Sequence, residues 1–194
     1  MKTIVTHGLP GLMLAAVLSS GAAAQVSNET RERAVVCAGC HGEGFNSVQP
    51  LTPSLAGQPA FYVTTQLILM REGVRPVPVM TPFVEKLKDA DIEALAAMLE
   101  ALPAGRSDET PDPALAQAGE KLAERMRCGS CHLPSLAGQE QMPRLAGQRI
   151  DYMLAALKAY RDSTRAGADA LMSNAVAGVP DADLLALAHY AASK

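Results

Sequence analysis

Tryptophan is absent from this chain of 194 residues, and only seven residues are Phe or Tyr. Two halves of about 80 residues cannot close a stable core on so little large apolar material without some further hydrophobe. Cysteine is just as scarce: the four present all fall in two short strings, Cys37-Ala38-Gly39-Cys40-His41 and Cys128-Gly129-Ser130-Cys131-His132, which leaves none for a structural disulfide. Basic excess is also missing. The formal charge is -3, which argues against nucleic acid as a partner. No segment alternates in the manner of a strand, and none has the roughly 20 consecutive apolar residues that span a bilayer.

Met1 to Ala24 carries Lys2, an apolar run from Leu9 to Leu18 broken only by Pro10 and Gly11, and then Ala22-Ala23-Ala24. This is the pattern of a secretory signal peptide cut before Gln25. As a membrane anchor the run is too short. The mature chain is thus expected in the periplasm, with peripheral membrane association only through a partner.

What is present is a repeat. Pro53-Ser54-Leu55-Ala56-Gly57-Gln58 returns as Pro143-Arg144-Leu145-Ala146-Gly147-Gln148, Tyr62 as Tyr152 and Arg75 as Arg165, at an offset of 90 to 92 residues that also relates the two cysteine strings. Agreement over most of the mature chain marks a duplicated unit. The expected division is a signal peptide over 1–24, one domain over 25–103, a linker rich in Pro, Asp and Glu over 104–113, and a second domain over 114–194. The first domain holds nine acids against six bases and the second eight against nine, so one is acidic and the other nearly neutral.

Each unit reads as helices joined by loops. Asp112 followed by Pro113 is a helix start, with Leu115, Ala118, Leu122, Ala123 and Met126 as its apolar stripe; a shorter counterpart covers 28–36. Middle helices are expected over 60–71 and 149–160. Last helices are expected over 89–102 and 181–192.

A Cys-x-x-Cys-His string is the attachment signature of a c-type haem: both thiols bond the porphyrin and the adjacent imidazole binds the iron. The competing readings are a zinc knuckle and a redox dithiol. Neither calls for a histidine directly after both cysteine pairs. Two haem c groups are therefore expected, held covalently by Cys37, Cys40, Cys128 and Cys131, with His41 and His132 on the iron. Of the other histidines, His7 leaves with the signal and His189 lies inside the last helix. The sixth ligand is then a thioether. Met80 lies 39 residues after His41 and Met172 lies 40 after His132, and each stands eight residues before its last helix opens. Met70, Met98, Met126, Met142 and Met153 keep no such register and read as packing residues.

Together the two Cys-x-x-Cys-His units, each with its Pro-x-Leu-Ala-Gly-Gln string, following Tyr and register-matched Met, resemble tandem class I cytochromes c of the cytochrome c₄ type. The resemblance implies an all-α fold of two tandem cytochrome c-like domains, low-spin His/Met iron and a periplasmic electron shuttle. It also implies that Pro53 and Pro143 offer backbone carbonyls to the ligating imidazoles. The expected partners are redox proteins: a respiratory complex or dehydrogenase as donor and a terminal oxidase as acceptor. With both axial positions filled, substrate chemistry at the metal is blocked, so no enzyme activity is expected. The alternatives are a haem subunit of a periplasmic dehydrogenase, or a dihaem enzyme of peroxidase or thiosulfate-oxidising type.

Two positions depart from that resemblance. Cytochrome c domains of this kind carry a Gly nine residues before the first Cys, where the first helix crosses the last against an aromatic ring. The second unit has Gly119 and Tyr190, but the first has Asn28 and Met98. A looser crossing is expected there. A further string, Pro134-Ser135-Leu136-Ala137-Gly138-Gln139, repeats the motif only two residues past His132, too early for the usual part.

Overall fold

A computed structural model describes Met1, residues 27–167 and residues 170–194; apart from Met1, the segment 1–24 expected to be a signal peptide lies outside them. In the first unit Ser27 caps α1 (Asn28–His41) through its hydroxyl, which accepts from the Thr30 amide at 3.1 Å. After a 3₁₀ turn (Glu43–Phe45) come α2 (Ala60–Arg71), α3 (Thr81–Val84) and α4 (Asp89–Ala101). The second unit repeats the plan with α5 (Pro113–Arg125), α6 (Gly129–His132), α7 (Ile150–Arg161), α8 (Ala170–Ala175) and α9 (Asp181–Ser193). Among the described residues the only extended pairing is an isolated bridge, Gln139 with Met142.

The expected helix start at Asp112 is present: its carboxylate accepts from the amides of Ala114 and Leu115 at 2.8 and 2.9 Å. The apolar stripe of α5 is rotated from the one read off the sequence. Gly119, Leu122 and Ala123 are buried while Ala118 is exposed, because the face is set by the crossing with α9. The first helices also differ. In the first unit α1 runs on to His41, well past the expected end at residue 36. In the second the helix stops at Arg125 and re-forms at Gly129. Arg127 takes φ 58° there, and Cys128 and Arg127 donate back to the carbonyls of Ala123 and Glu124. These are the two bonds of a Schellman stop.

Each unit has its own core. Phe45, Val63, Leu95, Ala96 and Leu99 form the smaller one, and Leu122, Leu136, Ile150, Met153, Leu157, Leu184, Leu187 and Tyr190 anchor the larger. At the α5/α9 crossing, a β-carbon on Gly119 would stand 2.0 Å from the Ala186 carbonyl oxygen and 2.8 Å from the Tyr190 β-carbon, so only glycine lets the helices meet. Across α1 and α4 the packing is sparse, in line with Asn28 and Met98 at the equivalent places. Amide exchange is accordingly expected to be faster in α1 and α4 than in α5 and α9. Greater protection in the first pair would refute the link between this crossing and local stability.

The additional string now has a role. Leu136 is 3% exposed, adopts φ 57°, and its carbonyl accepts from Leu145 and Ala146 at 2.8 and 3.0 Å. Phe45, also four residues after its histidine, does the same at φ 61°, accepting from Leu55 and Ala56 at 2.8 and 3.1 Å. The second copy of the string is thus the buried tie that Phe45 provides in the first unit. Its similarity to Pro143–Gln148 serves a different backbone.

The two units are joined by a pair of matching contacts. Gln58 donates from Nε2 to the Arg144 carbonyl (2.9 Å) and accepts the Arg144 amide at Oε1 (3.0 Å). Gln148 does likewise with Ser54: Nε2 to its carbonyl at 2.9 Å, and its amide to Oε1 at 2.8 Å. Ser54 and Arg144 are equivalent positions, as are Gln58 and Gln148. Both glutamines are about 95% buried, so their amides depend on these partners.

The linker is pinned to the second unit. Arg149, 4% exposed, donates to Asp108 at 2.6 Å and to Asp151 at 3.0 and 3.1 Å, with Glu109 at 3.7 Å. Glu109 caps α7 by accepting the Ile150 amide at 2.6 Å, and Asp151 reaches the first unit by accepting the Leu51 amide at 3.0 Å. Burial raises the Asp151 carboxyl, but its bonds from Arg149, Leu51 and Tyr152 outweigh that and hold it below its ordinary value.

Candidate functional site

Both cysteine strings face one cavity of about 650 Å³ that runs between the units. Cys37, Cys40 and His41 line it from the end of α1, and Cys128, Cys131 and His132 from α6 and the residue before it. None of the four cysteines is in a disulfide, and Cys40 and Cys131 are exposed. Burial pushes the Cys37 and Cys128 thiols up.

The histidines are held alike. His41 Nδ1 lies 2.9 Å from the Pro53 carbonyl and His132 Nδ1 lies 2.9 Å from that of Pro143. A carbonyl only accepts, so Nδ1 carries the proton and Nε2 keeps its lone pair. Both rings are more than 90% buried, and that burial, working against the Pro bond, keeps each imidazole below its ordinary pKa and therefore neutral. A neutral ring with one nitrogen tied back is the form that binds a metal through the other.

The cavity lining is largely apolar and rich in thioethers. Met80, just before α3, and Met172, inside α8, both line the cavity and both are half-buried. Met172 thus stands on a short helix, and Met80 directly before one. Met70, Met126, Met142 and Met153 also reach this cavity, which their spacing alone did not indicate. His189 is engaged elsewhere: its Nδ1 accepts the Asp112 amide at 2.9 Å.

Polar groups gather where the units meet. Arg75 donates to Gln66 at 2.8 Å, and Arg165 lies over the Tyr160 ring, 4.9 Å from its centre. Both line the cavity with Tyr62 and Tyr152. Arg144 also lines the cavity, and its Nε is buried with no hydrogen-bond partner in the protein. Sequence reasoning missed it, since the matching residue of the first unit is Ser54.

A covalently attached haem fits these residues. Two pairs of cysteines, beside each a neutral histidine with a free Nε2, thioethers in an apolar lining, and the guanidinium-bearing Arg75, Arg144 and Arg165 all belong to one cavity. The fold and this site define a c-type cytochrome with two haem-binding units in tandem.

Residues 116–193 match the family model described as cytochrome c, and residues 23–99 match that of cytochrome c oxidase, cbb3-type, subunit III. Cytochrome c4 of Pseudomonas aeruginosa is 34% identical over 201 residues, spanning 98% of this chain and 95% of that one. A thiosulfate dehydrogenase electron acceptor of Stutzerimonas stutzeri is 36% identical over 171 residues, 82% of this chain and 79% of that one. Among solved structures, reduced cytochrome c4 from Pseudomonas stutzeri superposes with a TM-score of 0.78 at 30% identity, covering 85% of this chain and 96% of the other. The chain belongs to the cytochrome c4 family. It is a dihaem electron-transfer protein that carries two haem c groups.

Proposed function

We propose that the chain is a periplasmic carrier of single electrons between a respiratory donor, either a quinol-oxidising complex or a dehydrogenase, and a terminal oxidase or similar acceptor. In this reading the segment 1–24 is removed on export, 104–113 links domains 25–103 and 114–194, and the cysteines at 37, 40, 128 and 131 carry the haems. His41 with Met80, and His132 with Met172, are the axial pairs. The observation that carries the reading is that each histidine shares its cavity with the methionine in its own register, 39 or 40 residues on.

The haem, when bound, supplies a one-electron couple. Everything else falls to the chain. Pro53 and Pro143 fix the imidazole tautomer and orientation, and the apolar lining around Val63, Leu95, Met153 and Leu157 restricts water. A neutral sulfur ligand in such surroundings favours the reduced state. Were His41 with Met80, and His132 with Met172, to hold the two irons, no ligand position would be left for substrate, and the reading expects no catalysis there.

A second reading, a haem subunit resident on a dehydrogenase, is favoured by one observation. Thiosulfate dehydrogenase from Marichromatium purpuratum matches over 80% of this chain and 36% of its own length, at 37% identity and a TM-score of 0.70. Haem content, the ferric spectrum and peroxide reactivity of the purified protein test the proposal. Two low-spin, methionine-ligated haems inert to peroxide are expected. High-spin iron at either site would overturn the carrier reading, and isolation in fixed stoichiometry with a dehydrogenase would favour the second.

A further inference from the structure

The glutamines that join the units end on the peptide groups that hold the histidines. The carbonyl of Pro53, which accepts from His41 Nδ1 at 2.9 Å, and the amide of Ser54, which donates to Gln148 Oε1 at 2.8 Å, are the two ends of one peptide group. On the other side His132 reaches the Pro143 carbonyl at 2.9 Å, and the Arg144 amide of that same peptide reaches Gln58 Oε1 at 3.0 Å. Each histidine is thus one peptide away from a buried glutamine of the opposite unit.

Hydrogen bonds through a planar amide reinforce one another. Drawing the N–H toward an acceptor adds negative charge to the carbonyl oxygen, which then accepts more strongly. A stronger acceptor at Nδ1 makes the imidazole a more basic ligand. A more basic ligand favours the more highly charged, oxidised metal. Taking His41 and His132 as the axial ligands, as proposed above, we infer that Gln148 tunes the redox poise of the N-terminal haem and Gln58 that of the C-terminal haem, each acting across the interface as a positioning and polarising residue. The coupling is crossed: each unit's potential depends on a side chain of the other.

The inference separates from a purely structural role by this crossing. Loosening the interface admits water to a cavity the units share, and so would move both haems together. Loss of the relay moves one. In the full-length holoprotein, Gln148→Leu is expected to raise the ferrous-to-ferric ratio of the N-terminal haem about threefold at fixed ambient potential, equivalent to about 28 mV for one electron. The C-terminal haem should move much less. Gln58→Leu is expected to do the reverse. Redox titration followed through the hyperfine-shifted resonances of each haem reads both.

The wild-type protein offers a measurement that needs no variant. By reciprocity, oxidation of the N-terminal haem should tighten the Ser54 amide bond and slow its hydrogen exchange about threefold relative to the reduced protein. Uncrossed or equal shifts in the two variants, or identical Ser54 exchange in both oxidation states, would overturn the relay while the wild-type spectrum stayed that of His/Met haem. A wild-type spectrum without that ligation would instead overturn the axial assignment beneath it.

Discussion

Met80→Ala is expected to abolish the far-red ferric absorption of methionine ligation at one haem, leave it at the other, and lower the potential of the affected haem alone. The axial ligand is the strongest lever the protein holds, since ligand identity moves haem potentials over a range of roughly 0.8 V. Replacing thioether sulfur with water or hydroxide removes a neutral, polarisable ligand that favours the reduced state and supplies one that favours the oxidised state. The effect should therefore be a sizeable fraction of that range. Half the band should survive because Met172 belongs to the other unit. Peroxide reactivity should appear in the variant, since the vacated position then admits a small ligand. Met172→Ala should give the mirror result. Retention of the full band in Met80→Ala would transfer the role to another methionine of the cavity, Met70 being the one on the adjacent helix α2.

Gly119→Ala carries the largest expected cost in stability. Helix propensity alone would favour alanine by about 1 kcal/mol. Sterics point the other way, because the new β-carbon would stand 2.0 Å from the Ala186 carbonyl oxygen and 2.5 Å from its carbon, both in the backbone of α9. Backbone inside a packed helix cannot step aside as a side-chain tip can, so sterics win. A net loss of about 3 kcal/mol is expected, at the upper end of overpacking costs. In a unit of this size that lowers the melting transition by roughly 10–20 °C. Calorimetry of the holoprotein should show the transition of the second unit move while that of the first stays. An unchanged transition of the second unit would show that α5 and α9 can separate without cost.

The main helices were legible because each carries its own local signal. Asp112 and Pro113 announce α5, and Asp181 and Asp183 crowd the first turn of α9. Misreadings arose where a tertiary partner sets the outcome. Ala118 looked like core by spacing, yet the face of α5 is chosen by the one residue small enough to touch α9. The stop at Arg127 was unreadable because arginine has no special liking for positive φ, and the turn is imposed by the carbonyls it closes on. Leu136 was obscure for a related reason: its equivalence to Phe45 lies in backbone conformation and burial, which two unlike side chains do not advertise. At the cavity the cysteines and histidines were plain, being adjacent in the chain. Arg144 was hidden, because its place on the cavity exists only in the folded chain and its counterpart in the first unit is Ser54.

The glutamine pairing across the units also bears on symmetry. Gln58 grips residue 144 as Gln148 grips residue 54, so each unit presents the same patch to the same patch. That is the hallmark of an isologous contact, the kind that builds two-fold dimers from identical chains. The protein thus has the symmetry of a two-fold dimer carried within one chain. If residues 104–113 are the linker, they raise the local concentration of one unit around the other. A single chain also lets the halves differ: Asn28 stands at the position equivalent to Gly119, and Ser54 at that of Arg144, differences that a true homodimer could not carry on one side only.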